Sequence, residues 1–175
     1  MNANIDKVKA GGRNTERRGL LDDMPINEPP CPLYKKWYSH KLHRAGLRYE
    51  IALSIVDGDI IWANGPYPAG RWSDIKIFRH RLKHFLRNGE RVEADRGYRG
   101  EPHHISVPDD YENYEQRRVK DRIRSRHETV NKRIKQFGCL SQTYRHSLQK
   151  HQLLFKVVLV LTQLSIENGE PLFRI

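Results

Sequence analysis

The stretch Arg91-Val92-Glu93-Ala94-Asp95-Arg96-Gly97-Tyr98-Arg99-Gly100 decides how the chain is read. Val92 and Ala94 alternate with polar neighbours, as a short strand would, and the glycines at 97 and 100 turn the backbone straight after Asp95. A carboxylate at a strand end, followed by permissive backbone, presents an acid in a cleft. The plainer alternative is an edge strand entering a polar turn. The surroundings of the stretch decide between the two.

Upstream, Leu47 to Ile55 places Leu, Tyr, Ile, Leu and Ile at odd positions and Arg, Glu, Ala and Ser at even ones, a period-2 strand. Asp57-Gly58 then precedes the β-rich run Ile60-Ile61-Trp62-Ala63, which predicts a hairpin. Ser73 can cap the next element, with Asp74 in its first turn. Ile75, Phe78, Leu82, Phe85 and Leu86 recur at helical spacing, and Asn88-Gly89 supplies the stop. The order hairpin, helix, strand has α/β character.

Downstream, residues 101–117 are polar and show no period. From about Val119 a helix runs through Ile123, Val130, Ile134 and Phe137 to Gly138. It is densely basic, with Arg117, Arg118, Lys120, Arg122, Arg124, Arg126, Lys132, Arg133 and Lys135 against Asp121 and Glu128. A last helix is expected from Arg145 to Glu167, stopped by Asn168-Gly169. Its middle is apolar almost all round, which predicts the most buried helix, with strand as the competing assignment because of its valines. Residues 1–19 hold charges and glycines but almost no large apolar groups, and are expected to be disordered, with Arg13, Arg17 and Arg18 in a solvated tail. Pro25, Pro29, Pro30 and Pro32 then impose an extended loop.

The whole chain carries 32 Lys+Arg against 21 Asp+Glu, a formal net charge of +11. Such a surplus favours a polyanionic partner, nucleic acid ahead of a membrane surface. Cys31 and Cys139 are too few for a disulfide scaffold and have no CxxC partner for zinc, which suits a reducing compartment. Met1 to Gly19 has no apolar signal region, and the longest apolar run, Leu153 to Leu161, is interrupted by Lys156, well short of the ~20 residues of a spanning helix. The chain reads as soluble.

Glu128 is the second acid of interest. Asn131, Lys132 and Lys135 share its helix face at i+3, i+4 and i+7. It is either half of a surface ion pair or a carboxylate aimed at a metal, with the bases around it on a phosphate backbone. Two acids from distant parts of the chain can hold Mg²⁺, which takes oxygen ligands and keeps several waters. Two such ions about 4 Å apart activate a nucleophile and stabilise the leaving oxygen in phosphodiester chemistry. Arg124, Arg126, Lys132 and Lys135 are the candidate phosphate contacts. His127-Glu128 lacks the second histidine of a zinc HExxH helix, because position 131 is Asn. His80 with His84, and His103-His104, have no acid at ligand spacing. No phosphate-binding glycine motif is present. Trp37, Tyr38 and Trp72 offer stacking on bases, against packing around the sheet.

The motifs Trp37-Tyr38-Ser39-His40-Lys41, Gly46-Leu47-Arg48-Tyr49-Glu50, Asn64-Gly65-Pro66, Ser73-Asp74-Ile75-Lys76-Ile77-Phe78-Arg79, Glu93-Ala94-Asp95-Arg96-Gly97-Tyr98 and Arg126-His127-Glu128-Thr129-Val130-Asn131, taken in order, carry a family resemblance. Over roughly residues 23–175 the chain resembles the DDE superfamily endonucleases, the transposases and transposase-derived nucleases of the PIF/Harbinger and IS5 type. The resemblance implies an RNase H-like α/β domain, a mixed sheet with flanking helices, in which three acids hold two Mg²⁺ or Mn²⁺ ions for DNA strand cleavage or transfer. The second acid falls on Asp95 and the third on Glu128. Asp74 matches a recurrent position outside the triad.

The first acid of the family opens an Asp-Gly-Thr-like motif at the end of a central apolar strand. Counting back from Met24-Pro25-Ile26-Asn27-Glu28-Pro29, that position lands on Leu20 and its Gly on Leu21. The preceding Thr15-Glu16-Arg17-Arg18-Gly19 is a poor strand. Asp22 is the candidate substitute, since residues i and i+2 of a strand face one side, whereas Asp23 would face away. The expectation is therefore a disordered or degenerate segment over 1–22 and a DDE-type domain over 23–175 whose first strand is lost or replaced. Two functions follow: a metal-dependent endonuclease using Asp95, Glu128 and Asp22, or a non-catalytic DNA-binding module or transposon remnant. Family members commonly carry a separate DNA-binding domain, and none is visible in this sequence, so the resemblance implies dependence on a DNA-binding partner protein or on a lost N-terminal segment. A homo-oligomer is left open, and the expected location is nuclear or cytoplasmic.

Overall fold

The computed structural model describes residues 17–26, 34–108 and 113–175. Of the tail expected over residues 1–19, residues 1–16 lie outside the described residues, as do the loop prolines 29, 30 and 32 and Cys31, whereas Arg17 and Arg18 belong to a strand. The strands are β1 (Arg17–Pro25), β2 (Tyr38–Ser39), β3 (Arg44–Ser54), β4 (Ile60–Pro68), β5 (Val92–Glu93) and β6 (Ile105–Ser106). The helices are α1 (Tyr34–Trp37), α2 (Asp74–His80), α3 (Tyr114–Gln136), α4 (Gly138–Ser141) and α5 (Leu148–Glu167).

The period-2 run became the long strand β3, and the other strands are arranged around it. On one edge β3 pairs antiparallel with β1, from Arg17↔Ser54 to Pro25↔Gly46. Its other edge takes β2 at the start and β4 along the rest, both antiparallel. β5 joins β1 in parallel, and β6 joins β5 in parallel. β1 therefore lies between an antiparallel half and a parallel half.

This corrects the expectation that no first strand forms. Arg17 to Asp22, weak in local strand propensity, are ordered as β1 by a partner on each side, since strand preference depends on pairing context. β5 is also an interior strand, not the edge strand of the plainer reading, because β6 covers its far side. β6 went unseen within 101–117: two residues are too few to establish a period.

The alternation in β3 sorts the two faces of the sheet. Leu47, Tyr49, Ile51 and Leu53 pack with Met24 against Val130 and Ile134 of α3 and Phe155 and Val158 of α5. On the opposite face Ala52, Val92 and Ala94 meet Phe78, Leu82, Tyr98 and Ile105. The Tyr49 ring stacks on Phe155 with centroids 3.7 Å apart, and its hydroxyl lies 2.8 Å from His151 Nδ1, tying β3 to α5.

The helix boundaries follow their caps. Asn113 Oδ1 accepts from the Gln116 amide, so α3 starts before the expected Val119. Ser147 Oγ accepts from the Lys150 amide at the start of α5. Ser73 occupies the N-cap of α2 in extended conformation, but its side chain makes no capping bond. α2 ends at His80, and a 3₁₀ turn over Leu82–Phe85 takes up the rest of the expected helix. Nor is α5 the buried helix its composition suggested, since Leu153, Val157, Val160 and Leu164 are exposed. Among the described residues no helix is long and apolar enough to cross a membrane.

Candidate active site

Asp95 lies two residues past the end of β5 and caps the 3₁₀ turn Arg96–Tyr98, its Oδ1 accepting the Gly97 amide at 2.9 Å. The parallel register with β1 runs Arg17↔Val92 and Arg18↔Glu93. Continued two residues beyond the paired ones, that register would bring the backbone of Leu20 level with Asp95. The position that the resemblance assigns to the first acid falls within β1, at Leu20. Asp22 follows on the same strand, opposite Tyr49. Its side chain lies outside the described residues.

A second constellation lies on the α2 face of the sheet, centred on Arg48. Arg48 Nε donates to Asp23 Oδ1 at 2.7 Å and Nη2 to Asp23 Oδ2 at 3.2 Å. Nη1 donates to Asp74 Oδ1 at 2.8 Å and to the Trp72 carbonyl at 2.9 Å. Asp23 is buried and also accepts the Ser39 hydroxyl at 2.6 Å. Burial works to lower the Arg48 pKa, but the hydrogen bond and charge of Asp23, with the charge of Asp74, raise it overall. The Asp74 pKa is raised, chiefly by burial; Arg48 opposes this, while Asp95 and Asp23 add to it.

Asp74 and Asp95 approach each other across Gly97. A Cβ added at Gly97 would lie 2.4 Å from Asp74 Oδ2 and 3.1 Å from Asp95 Oδ1. Glycine is needed here for space. Because Asp74 is short and held by Arg48, Gly97→Ala is expected to destabilise the protein by about 1–3 kcal/mol, read from the urea unfolding midpoint. An unchanged midpoint would show that the carboxylates can yield.

Glu50 and Tyr98 complete this constellation. Glu50 is fully buried, and its Oε2 accepts the Trp62 indole N–H at 3.0 Å. Burial pushes its pKa up to about 7; the Trp62 and Asn64 contacts lower it and the Asp74 charge raises it. Tyr98 is equally buried, and its hydroxyl finds no hydrogen-bond partner among the described residues. Burial first, then the charges of Glu50, Asp74 and Asp95, hold that hydroxyl protonated.

Glu128 is exposed on α3 and lines a groove of roughly 520 Å³ with Lys41, Asn131, Lys132, Lys135 and Gln136. The neighbouring His127 is buried, its Nε2 3.3 Å from the Ile51 carbonyl, which fixes this part of α3 on the sheet. Lys132 and Lys135 share the groove as expected from their spacing, and Lys41 from the β2–β3 turn joins them.

Arg126 is a correction. It is 2 % exposed and donates to the Ile55 and Phe173 carbonyls, because it sits at i+3 from Ile123 on the sheet-facing side of α3. It is a structural anchor, not a phosphate contact. Arg124 is paired with Asp121 one turn earlier.

Sequence reasoning missed Arg48 and Glu50. Their signal was the even positions of β3: two charges at i and i+2 in the middle of the longest strand need a buried polar partner set. Asp23 does face away from the Asp22 side, as its parity required, and the partner it meets there is Arg48.

An acid just past an interior parallel strand and another on a basic helix, over a mixed sheet, define an α/β domain. Over residues 23–163 the chain matches the DDE superfamily endonucleases, and it belongs to that family. No curated protein and no solved structure matches it. Members of this family generally use divalent metals. The residues described here do not fit a three-carboxylate centre. The carboxylates that gather, Asp23 and Asp74, are already paired with Arg48. Among the described residues no three His, Cys, Asp or Glu side chains are grouped to hold an ion.

Proposed function

We propose that the chain is a DNA-binding domain of transposase descent, built on an RNase H-like frame, in which metal-dependent strand cleavage has been lost at Leu20. The single observation that carries this is the β1–β5 register, which, continued two residues from Arg18↔Glu93, would put a leucine level with Asp95 where the family has an acid. The strand plan supports the frame, with β1 central, β3 and β4 antiparallel on one side and β5 and β6 parallel on the other. The +11 charge and the lysines of the α3 groove supply a sequence-independent grip on phosphates. Target choice would then rest with a separate DNA-binding partner.

Duplex DNA should bind with steep salt dependence. Replacing both Lys132 and Lys135 by Ala should weaken binding about tenfold and reduce the salt slope by about 2, measured by fluorescence anisotropy. The protein should not nick supercoiled DNA in Mg²⁺ or Mn²⁺. Leu20→Asp should introduce nicking that Asp95→Ala or Glu128→Ala removes. A salt-insensitive or absent interaction with DNA overturns the binding reading.

A second reading has one observation in its favour: Asp22 lies on β1 two residues beyond Leu20, on the same side of the strand. If the wild type nicks DNA and Asp22→Ala, Asp95→Ala and Glu128→Ala each abolish nicking, the domain is an active endonuclease and Asp22 is the first acid.

A further inference from the structure

We propose that α5 is the interface of an antiparallel homodimer of this chain. One face of α5 is spent inside the fold, where His151, Phe155, Val158, Leu159, Thr162 and Ile166 are buried. The opposite face carries a second apolar stripe, with Leu153 63 %, Val157 46 %, Val160 54 % and Leu164 47 % exposed. Spacings of four, three and four residues are those of a two-helix seam with a 3.5-residue repeat.

The occupant is identified by the order along that stripe. It reads Leu, Val, Val, Leu, symmetric about the midpoint between Val158 and Leu159. A second α5 running the other way therefore sets Leu153 against the other copy's Leu164, and Val157 against its Val160. Extended by one step at each end, the same seam reaches Lys150 and Glu167, which meet each other across the two-fold. A parallel pair would instead oppose Lys150 to Lys150 and Glu167 to Glu167, a like-charge arrangement that selects against it.

Both charges are also misplaced for their own helix. Lys150 lies in the first turn of α5, where the helix dipole favours an acid, and Glu167 ends the helix, where it favours a base. Against an antiparallel copy each charge lies at the complementary pole. Within one chain the two are about 25 Å apart along the helix, so neither relieves the other. Lys156 falls opposite Leu161 of the second copy, where its methylene stem can cover the leucine.

Sedimentation velocity on the full chain at tens of micromolar should show a dimer. Lys150→Glu and Glu167→Lys should each weaken it about tenfold. The combined swap, which restores opposite charges, should return the affinity to within about threefold of wild type. Val157→Glu together with Val160→Glu should leave a folded monomer, with circular dichroism unchanged because both positions are exposed. A wild type that stays monomeric overturns the proposal. So does a dimer that survives the two glutamates, or a charge swap that fails to restore it.

Discussion

Replacing Arg48 by Met should destabilise the protein by about 3–5 kcal/mol, the largest single-residue effect expected on the α2 face. The guanidinium satisfies both oxygens of Asp23, one oxygen of Asp74 and the Trp72 carbonyl. Its side chain is 18 % exposed and that of Asp23 3 %, so solvent does little to replace it. Losing the cation leaves the Asp23 and Asp74 carboxylates, with Asp95 nearby, without the guanidinium that both now pair with. For a domain of this size the melting midpoint should fall by roughly 10 °C or more. Adding Asp23→Asn should recover part of the loss, because the stranded charge, and not the missing side-chain volume, dominates it. A loss below about 1 kcal/mol would place Arg48 among ordinary surface pairs. No recovery in the double variant would assign the effect to packing.

Glu50 and His151 should impose opposite pH dependences on stability. The Glu50 pKa is raised from 4.5 to about 7 by burial, so the folded state holds its proton more tightly. Stability from this group is greatest below pH 4.5 and declines as pH rises to about 7, by on the order of 3 kcal/mol. The His151 pKa is lowered from 6.5 to about 4, again by burial, so the folded state rejects the proton. Its contribution is full above pH 6.5 and is lost as pH falls toward 4, by a similar amount. Between about pH 4.5 and 6.5 the two slopes oppose, and together they leave the wild type nearly flat there.

Glu50→Gln keeps an oxygen for the Trp62 indole and removes one slope. Its stability, from urea unfolding at pH 5, 6 and 8, should rise across the series and exceed that of the wild type most at pH 8. Identical pH profiles for the two proteins would show that Glu50 titrates as an exposed glutamate does.

The sequence made the frame legible wherever one residue repeated a physical requirement several times. Four apolar residues at alternate positions, Leu47, Tyr49, Ile51 and Leu53, specify β3 and its core face, and Asp57-Gly58 specifies the turn into β4. The i, i+3, i+4 and i+7 pattern from Glu128 to Lys135 placed four groove residues on one side of α3. The features that went unread depend on partners distant in sequence. β1 has little local strand preference and exists because β3 and β5 accept it. Ile105-Ser106 became β6 for the same reason. Arg126 looked like one more base on a basic helix, and only the Ile55 and Phe173 carbonyls across from it show that it points inward. α5 misled in the other direction: composition reports how apolar a helix is, but not whether the rest of the chain has enough surface to cover it.

The central place of β1 has a kinetic consequence. Its antiparallel partner β3 is complete by residue 54, so three strands can pair from a short length of chain. Arg17 meets Val92 only after the intervening hairpin and α2 have been made. Closing that long loop costs more entropy than forming the hairpin, and the parallel pair returns few contacts for it. Refolding should therefore pass through a barrier at which β1–β3–β4 is formed and the β5–β6 half is still docking. During synthesis, the free edge of β1 stays exposed until Asp95 and its neighbours leave the ribosome.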